Sequence, residues 1–138
     1  MSADRIAVQD LYPRDVAHCY GCGRLNEAGH QIQSYPEGDQ TVARFTPEPH
    51  HTAIPGYVYG GLIASLIDCH GTGSGAIAGM AVPDPPEDPE HPTVDLDRAA
   101  RALAAGEEAP RFVTATLEVR YLKPTPLGPE LVLRGTIE

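Results

Sequence analysis

The chain has 138 residues, of which 41% are hydrophobic, and its formal net charge is −9 at pH 7. This length predicts a single domain over residues 1–138 with a hydrophobic core of ordinary size. The acidic balance argues against a nucleic-acid partner, because affinity for nucleic acid comes largely from Lys and Arg side chains that neutralise phosphates.

The sequence carries no segment typical of export or membrane insertion. No apolar run approaches the roughly 20 residues that cross a bilayer, and residues 1–10 lack the basic and apolar regions of a signal peptide. We therefore expect a cytoplasmic protein with no membrane partner. Three cysteines, an odd number, favour reduced thiols over a disulfide framework in such a chain.

The N-terminal part predicts an arm followed by a hairpin. Residues 1–30 are expected to form an arm with short helical pieces and many turns. Apolar and polar residues then alternate over 31–35 and 41–46, on either side of a loop at 37–39. This pattern is typical of two strands joined by a hairpin loop, which we expect at one edge of a sheet.

A buried helix is predicted over residues 60–77, where large apolar residues alternate with small ones. It opens with Gly60 and Gly61, and two adjacent glycines let backbone amides approach a ligand closely. The start of a helix adds partial positive charge directed at a carbonyl or phosphate group. The pattern indicates an oxyanion hole. The glycine-rich stretch 71–75 is poor helix sequence, so we expect this part to be loose.

Asp68 lies two turns into this helix, among apolar neighbours. An ionised carboxylate in such surroundings is costly unless it is hydrogen-bonded. We therefore expect a buried, functional acid; the alternative is a structural carboxylate that is solvated at a helix end or paired with Arg.

The second half of the chain predicts an insertion and two strands. Residues 83–92 are proline-rich and acidic, which predicts a loop, and 95–105 carry the signals of a short helix. Together, residues 83–110 form an insertion that could cover a site. Residues 113–122 alternate strictly and 131–137 follow after a proline-containing turn, which predicts two long strands.

Three motifs stand out in this order of elements: Cys19-Tyr20-Gly21-Cys22-Gly23 with Asn26, the stretch 56–68, and the stretch 114–126 with its Tyr-Leu-Lys-Pro-Thr-Pro. From about Cys19 to the end, apart from 83–110, the chain resembles the hotdog-fold thioesterases of the phenylacetyl-CoA thioesterase type. The resemblance implies an α+β hotdog fold, in which an antiparallel sheet wraps a central helix. It also implies hydrolysis of an acyl-CoA substrate at the interface of a homodimer or homotetramer, without a cofactor.

The resemblance implies particular site residues. The family's helix carboxylate falls on Asp68, as general base or nucleophile, and the amide that polarises the thioester carbonyl falls on Gly61 or Gly60. A hydroxyl that orients water from the opposite subunit falls on Thr114. Asp68 and Thr114 would then belong to different chains in each site.

This chain also departs from the family pattern. Many members have His before the glycine pair, where this chain has Tyr59, so a hydrogen bond to substrate would come from a phenol or be absent. Some relatives have Asn or Gln before the helix, and His51 is a candidate substitute here. Arg120 and Lys123 are candidates for binding the phosphates of CoA; the alternative is ordinary surface charge. The chain ends at Glu138, so the closing two strands of a hotdog sheet are expected to be missing.

The Cys19-x-x-Cys22 spacing is compatible with a metal site, yet a structural zinc site needs four ligands and the chain has no second CxxC. Only the fold could bring Cys69, His18 or His70 to it. We therefore expect no metal.

Two other functions remain open. A non-catalytic acyl-CoA-binding hotdog protein is the main alternative, because of Tyr59 and the expected missing strands. A hydratase on the same fold ranks last, because it needs Asp and His on one loop and no such pair follows the helix start.

Overall fold

The computed structural model describes residues 5–138. In chain order the elements are two 3₁₀ turns (Val8–Leu11 and Arg14–Val16), strands β1 (Tyr35–Glu37) and β2 (Gln40–Phe45), helices α1 (Gly60–Met80) and α2 (Leu96–Ala104), and strand β3 (Leu131–Gly135). The short helical pieces of the predicted arm are confirmed. Residues 1–4 of that arm lie outside the described residues.

The three strands form an antiparallel sheet in the order β1-β2-β3. A two-residue loop joins β1 to β2, and its first residue, Gly38, has φ +62°, a conformation that glycine adopts without strain. The hairpin is confirmed, but its first strand begins at Tyr35 rather than at 31. The reason is that the N-terminal arm binds the preceding backbone: the Ile32 amide donates to the Gly21 carbonyl and the Ser34 amide to the Gln9 side chain.

Helix α1 runs without a break through its glycine-rich part, so the expectation of a loose stretch at 71–75 was wrong. Neighbouring residues fill the space that side chains at Gly73 and Gly75 would occupy. A Cβ on Gly73 would lie 2.8 Å from the Ser34 hydroxyl oxygen, and one on Gly75 would lie 3.5 Å from the Phe112 ring. Close packing therefore compensates for the low helix propensity of glycine.

The core consists of two clusters placed along α1. The N-terminal half of α1 packs with the sheet through Ile32, Ala43, Val58, Leu62, Leu66 and Cys69. The C-terminal half packs with α2 and the arm through residues that include Val8, Ala76, Ile77, Met80, Ala99 and Leu103. Both clusters depend on α1, which lies at the centre of the fold.

Helix α2 confirms the short helix predicted over 95–105. The Asp95 carboxylate accepts hydrogen bonds from the amides of Asp97 and Arg98, at 3.0 and 3.3 Å, which caps the helix. Because α2 packs on the C-terminal end of α1, this part of the insertion joins the core there.

The prediction of a strand over 113–122 was wrong for this chain, whereas β3 confirms the one predicted over 131–137. No strand pairs with 113–122 among the described residues. The segment runs along α1 instead, with Phe112 beside Gly75 near its start and Tyr121 beside Gly60 at its end. Alternation shows that a segment has two faces, but it does not supply a partner for its backbone. Val113 is 92% exposed as a result.

Between residues 5 and 138, no helix combines the length and the apolar character needed to cross a bilayer.

Replacing Gly73 with Ala is expected to lower the free energy of unfolding by about 1–3 kcal/mol, because the new methyl group would overpack the contact with Gln9 and Ser34. Gly71 is the matched control, since it is exposed and a Cβ there meets nothing within 4 Å. Gly71→Ala is expected to raise the free energy of unfolding by up to about 1 kcal/mol through helix propensity. Urea unfolding of both variants measures the difference, and equal effects would contradict the packing account.

Candidate active site

Helix α1 begins at a glycine pair that is enclosed by two tyrosine rings. The Tyr59 ring occupies the space that a side chain on Gly61 would need. The Tyr121 ring lies 3.3 Å from the position of a Cβ on Gly60, and its hydroxyl donates a 2.7 Å hydrogen bond to the Gly60 carbonyl. A side chain at 61 would therefore require the Tyr59 ring to move.

The first amides of α1 are available to a ligand. Within residues 5–138, neither the Gly60 nor the Gly61 amide has a hydrogen-bond acceptor, and Tyr59 provides no side-chain cap. The next amide, of Leu62, donates to the Tyr59 carbonyl at 3.1 Å. Free first-turn amides and the partial positive charge of the helix start together attract an anionic or carbonyl oxygen.

Asp68 accepts a hydrogen bond from the Thr114 hydroxyl. Both residues line a cavity of about 370 Å³ that also includes Ile67, Phe112 and Leu117. Asp68 is partly exposed, so the expectation of a buried carboxylate was wrong: the helix turns it toward this cavity. One chain supplies both partners of the hydrogen bond, whereas the resemblance implies that they come from different subunits.

The glycine pair and Asp68 are far apart along α1. At 1.5 Å of rise per residue, the eight residues from Gly60 to Asp68 span about 12 Å of helix axis. A thioester carbonyl is much smaller than this distance. The amides and the carboxylate of one chain therefore cannot contact the same carbonyl group.

His51 lies at the entry to α1. Its carbonyl accepts a 2.9 Å hydrogen bond from the Tyr59 amide, and its ring centroid lies 5.8 Å from that of Phe45. The ring nitrogen Nδ1 accepts a hydrogen bond from the Glu48 amide at 2.9 Å. The structure thus brings His51 close to Tyr59 through the backbone, with one ring nitrogen already engaged.

The two candidate phosphate-binding cations have different surroundings. Lys123 lines a cavity of about 300 Å³ together with Gly60 and Tyr121, so it lies at the start of α1. Arg120 pairs with Glu118 at 3.1 Å, and its side chain is 82% exposed. Tyr121 was not singled out from the sequence as a site residue; the signal that could have found it is its place in the Tyr-Leu-Lys-Pro-Thr-Pro motif.

His70 belongs to a buried polar network between α1 and the sheet. Its Nδ1 lies 2.9 Å from the Ser34 hydroxyl oxygen and its Nε2 lies 3.3 Å from that of Thr41. Thr41 in turn lies 2.6 Å from the Ser74 hydroxyl oxygen. Burial lowers the pKa of His70, so its ring is held neutral by its surroundings. His70 therefore contacts the sheet and does not act on Asp68.

Three thiols meet where the N-terminal arm contacts α1. The sulfur atoms of Cys19, Cys22 and Cys69 all lie within 4.8 Å of one another. The neighbouring Cys69 thiol stabilises the Cys22 thiolate and lowers its pKa to about 6, although burial acts in the opposite direction. The interaction with Cys22, reinforced by burial, raises the pKa of Cys69. Sequence reasoning noted the CxxC but could not place Cys69 beside it.

The chain as a whole is similar to a solved structure. A crystal structure of a thioesterase superfamily protein from Shewanella loihica PV-4 is 44% identical to this chain, with a TM-score of 0.55. The similarity covers 89% of this chain and 74% of that one. The chain therefore belongs to the thioesterase superfamily, and its small antiparallel sheet and long central helix are consistent with a hotdog fold. No protein-family model and no curated protein matches it.

The buried network predicts a pH dependence of stability. The folded pKa of His70 lies below the ordinary value of 6.5, so the unfolded chain binds more protons as the pH falls below about 6.5. The free energy of unfolding is therefore expected to decrease in that range, and His70→Gln is expected to remove part of the decrease. Urea unfolding between pH 5 and 8 measures this. His18→Gln, at an exposed histidine, is the control; the same pH slope in wild type and His70→Gln would contradict the assignment.

Proposed function

We propose that this protein is an acyl-CoA thioesterase, of the type that hydrolyses phenylacetyl-CoA and related thioesters. The observation that carries the proposal is the hydrogen-bonded pair of Asp68 and Thr114 at a cavity of about 370 Å³, on a helix whose first amides are free. Membership of the thioesterase superfamily supports the same activity.

Asp68 is the group that starts the reaction. The Thr114 hydroxyl donates to Oδ1 of Asp68, which leaves Oδ2 for a water molecule or for the thioester carbon. As a general base, Asp68 would take a proton from water as the water attacks the carbonyl carbon; the C–S bond then breaks, and CoA leaves as its thiol with that proton. As a nucleophile, Asp68 would attack the carbonyl carbon and expel CoA thiolate, and water would then hydrolyse the acyl-enzyme anhydride to the free acid and regenerate the carboxylate. In either case Thr114 fixes the orientation of the carboxylate.

The amides of Gly60 or Gly61 would stabilise the developing oxyanion. Preorganised backbone amides serve this role because charge develops on the carbonyl oxygen in the transition state, while the amides stay fixed. The nearby Tyr121 phenol is engaged with the Gly60 carbonyl, which holds the first peptide of α1 in place.

Two copies of the chain are needed to complete a site. About 12 Å of helix axis separates Gly60 from Asp68 in one chain, too far for one carbonyl group to reach both. In a dimer with two-fold symmetry, the glycine pair of one copy would face Asp68 of the other, and each dimer would have two sites. Asp68 and Thr114 then come from the same copy.

We propose a position for the acyl group and for CoA from the residues around Asp68 and Gly60. The apolar residues Phe112, Val113 and Leu117 beside Asp68 suit an aromatic or medium-chain acyl group. Arg120 is already paired with Glu118, so Lys123 is the cation that we retain as the candidate for binding a phosphate of CoA.

A non-catalytic acyl-CoA-binding protein is the second candidate. The Tyr59 ring lies against Gly61, at the position where many relatives have His, and it covers part of the helix start. Such a protein would bind acyl-CoA at the same surface without turnover.

The thioesterase proposal predicts that Asp68→Asn lowers kcat by about 10²–10⁴-fold, because an amide can neither accept the proton nor attack the thioester. The measurement is release of free thiol from short-chain, long-chain and aromatic acyl-CoA thioesters. Asp97→Asn, at an exposed residue of α2, is the matched control and is expected to keep wild-type turnover.

Either of two results would overturn this assignment. Wild-type turnover in Asp68→Asn would exclude the carboxylate as the reacting group. An absence of turnover by the wild type on every thioester, together with retained binding, would favour the second candidate.

The oxyanion role is tested by removing one amide N–H group with proline and by using alanine at the same position as the control for the added side-chain atoms. Proline is tolerated in the first turn of a helix, so Gly60→Pro and Gly61→Pro each delete one N–H group. Replacing the glycine whose amide binds the oxyanion is expected to lower kcat by about 10²–10³-fold, and Ala at the same position, which keeps the amide, is expected to lower it much less.

Mixing the inactive proline variant with Asp68→Asn tests the shared site. Random pairing makes half of the dimers mixed, and each mixed dimer has one intact site, so roughly a quarter of the wild-type rate is expected to return. No recovery in mixed dimers would show that one chain supplies both groups, and equal rates for the Pro and Ala variants would exclude the amides.

A further inference from the structure

All three cysteines of this chain come together in the fold. Cys19 and Cys22 lie on a turn of the N-terminal arm, and Cys69 lies on α1, about 50 residues later in the sequence. Cys19 is exposed, Cys22 is half-buried and Cys69 is buried, so the cluster extends from the surface to the core. The proposed thioesterase reaction uses none of these thiols.

Two glycines bring the turn against the helix. The Gly23 amide donates to the Cys19 carbonyl at 2.7 Å, and a Cβ on Gly23 would lie only 2.5 Å from the Cys19 backbone nitrogen. A Cβ on Gly21 would overlap the Cys69 sulfur. Side chains at these positions would therefore open the turn or displace it from α1.

The spacing of the sulfur atoms is that of metal ligands. Tetrahedral zinc binds thiolate sulfur at about 2.3 Å, which places two such sulfur atoms about 3.8 Å apart. The sulfur atoms of Cys19 and Cys69 are 3.7 Å apart, and Cys22 lies within 4.8 Å of both. A disulfide would use only two of the three thiols and would leave the third without a role.

We propose that Cys19, Cys22 and Cys69 bind a soft divalent cation of the Zn²⁺ type through three thiolates. Each thiol releases its proton when its sulfur binds the ion, so the reaction involves no oxidation or reduction. Within residues 5–138, no fourth His, Cys, Asp or Glu joins this group. Water or an added ligand takes the fourth position, which the exposed Cys19 leaves accessible.

The sequence alone predicts no metal, because it has one CxxC without a second pair. The fold adds a third thiolate, Cys69 of α1, and the fourth ligand would come from solvent. The bound ion would fasten the arm to α1 at the residue that follows Asp68. It would therefore stabilise the fold at a point next to the proposed site.

Cobalt is the probe for this site. The full-length chain, reduced and freed of metal with a chelator, is titrated anaerobically with Co²⁺ and then with Zn²⁺. We expect one equivalent of Co²⁺ to give thiolate-to-cobalt charge-transfer absorption, which Zn²⁺ then displaces. Cys19→Ser, at an exposed residue, is expected to weaken binding by about 100-fold or more, since even indirect partners of a metal change affinity by about 10–100-fold.

Two further variants separate ligation from folding. Gly21→Ala keeps all three thiols but displaces the Cys69 sulfur, so it is expected to weaken Co²⁺ binding as well. His18→Ala, next to Cys19 but outside the group of three, is expected to bind Co²⁺ as the wild type does. Added Zn²⁺ is expected to raise the Tm of the wild type and to leave that of Cys19→Ser unchanged.

The proposal is overturned if the wild type gives no charge-transfer absorption, or if Cys19→Ser gives the same absorption as the wild type. It is also overturned if the thiols pair into a disulfide on exposure to air while the reduced protein binds no cobalt. None of these readouts depends on thioester hydrolysis, so the metal site and the proposed activity fail or succeed separately.

Discussion

The sheet, the arm and α2 all pack against α1, and several glycines of this helix let its neighbours approach closely. Six of the 21 residues of this helix are glycine, which disfavours an isolated helix by about 1 kcal/mol for each one in its interior. Tertiary contacts must therefore hold it in shape. The arm fills the space beside Gly73, and the segment that follows α2 fills the space beside Gly75. The same missing side chains that weaken the helix allow its neighbours to approach its backbone.

The geometry of α1 fixes the distance between the two groups that the proposed reaction uses. Its first turn offers free amides and its third turn offers the carboxylate of Asp68, and the rise of the helix fixes their separation at about 12 Å. No change of side-chain rotamer can close that gap. In the proposed reaction, which uses both groups, two chains would therefore contribute to each site. Val113 and Leu122 belong to the segment that runs along α1, and their apolar side chains are exposed.

The sequence predicted the parts of the fold that are determined locally. Alternation around a glycine turn predicted the hairpin, and the signals of a short helix that begins at Asp95 predicted α2. Both could be predicted because each signal lies within a few residues of the element that it specifies. The continuity of α1 through Gly73 and Gly75 could not be predicted, because it depends on packing partners that are distant in sequence. The same holds for 113–122, whose alternation is real but whose backbone finds no partner strand within the described residues.

The candidate site likewise has residues that could be named from the sequence and contacts that only the folded chain shows. Asp68 and the glycine pair could be named from spacing and from the resemblance, because both lie on one helix. That the Thr114 hydroxyl belongs to the same chain as Asp68 depends on how the segment at 113–122 lies along α1. The contact between Cys69 and the CxxC turn likewise exists only in the folded chain, where the missing side chain of Gly21 leaves room for it.

Three consecutive residues of α1, Asp68, Cys69 and His70, contact three different parts of the fold. Each residue of an α-helix is rotated by about 100° from the one before it, so neighbours in sequence face different surroundings. Asp68 faces Thr114 and the cavity, Cys69 faces the thiols of the arm, and His70 faces the sheet through its bonds to Ser34 and Thr41. The arm and the sheet thereby fix the rotation of α1 about its own axis on two sides. That rotation directs Asp68 toward the cavity, where the Thr114 hydroxyl then orients its carboxylate.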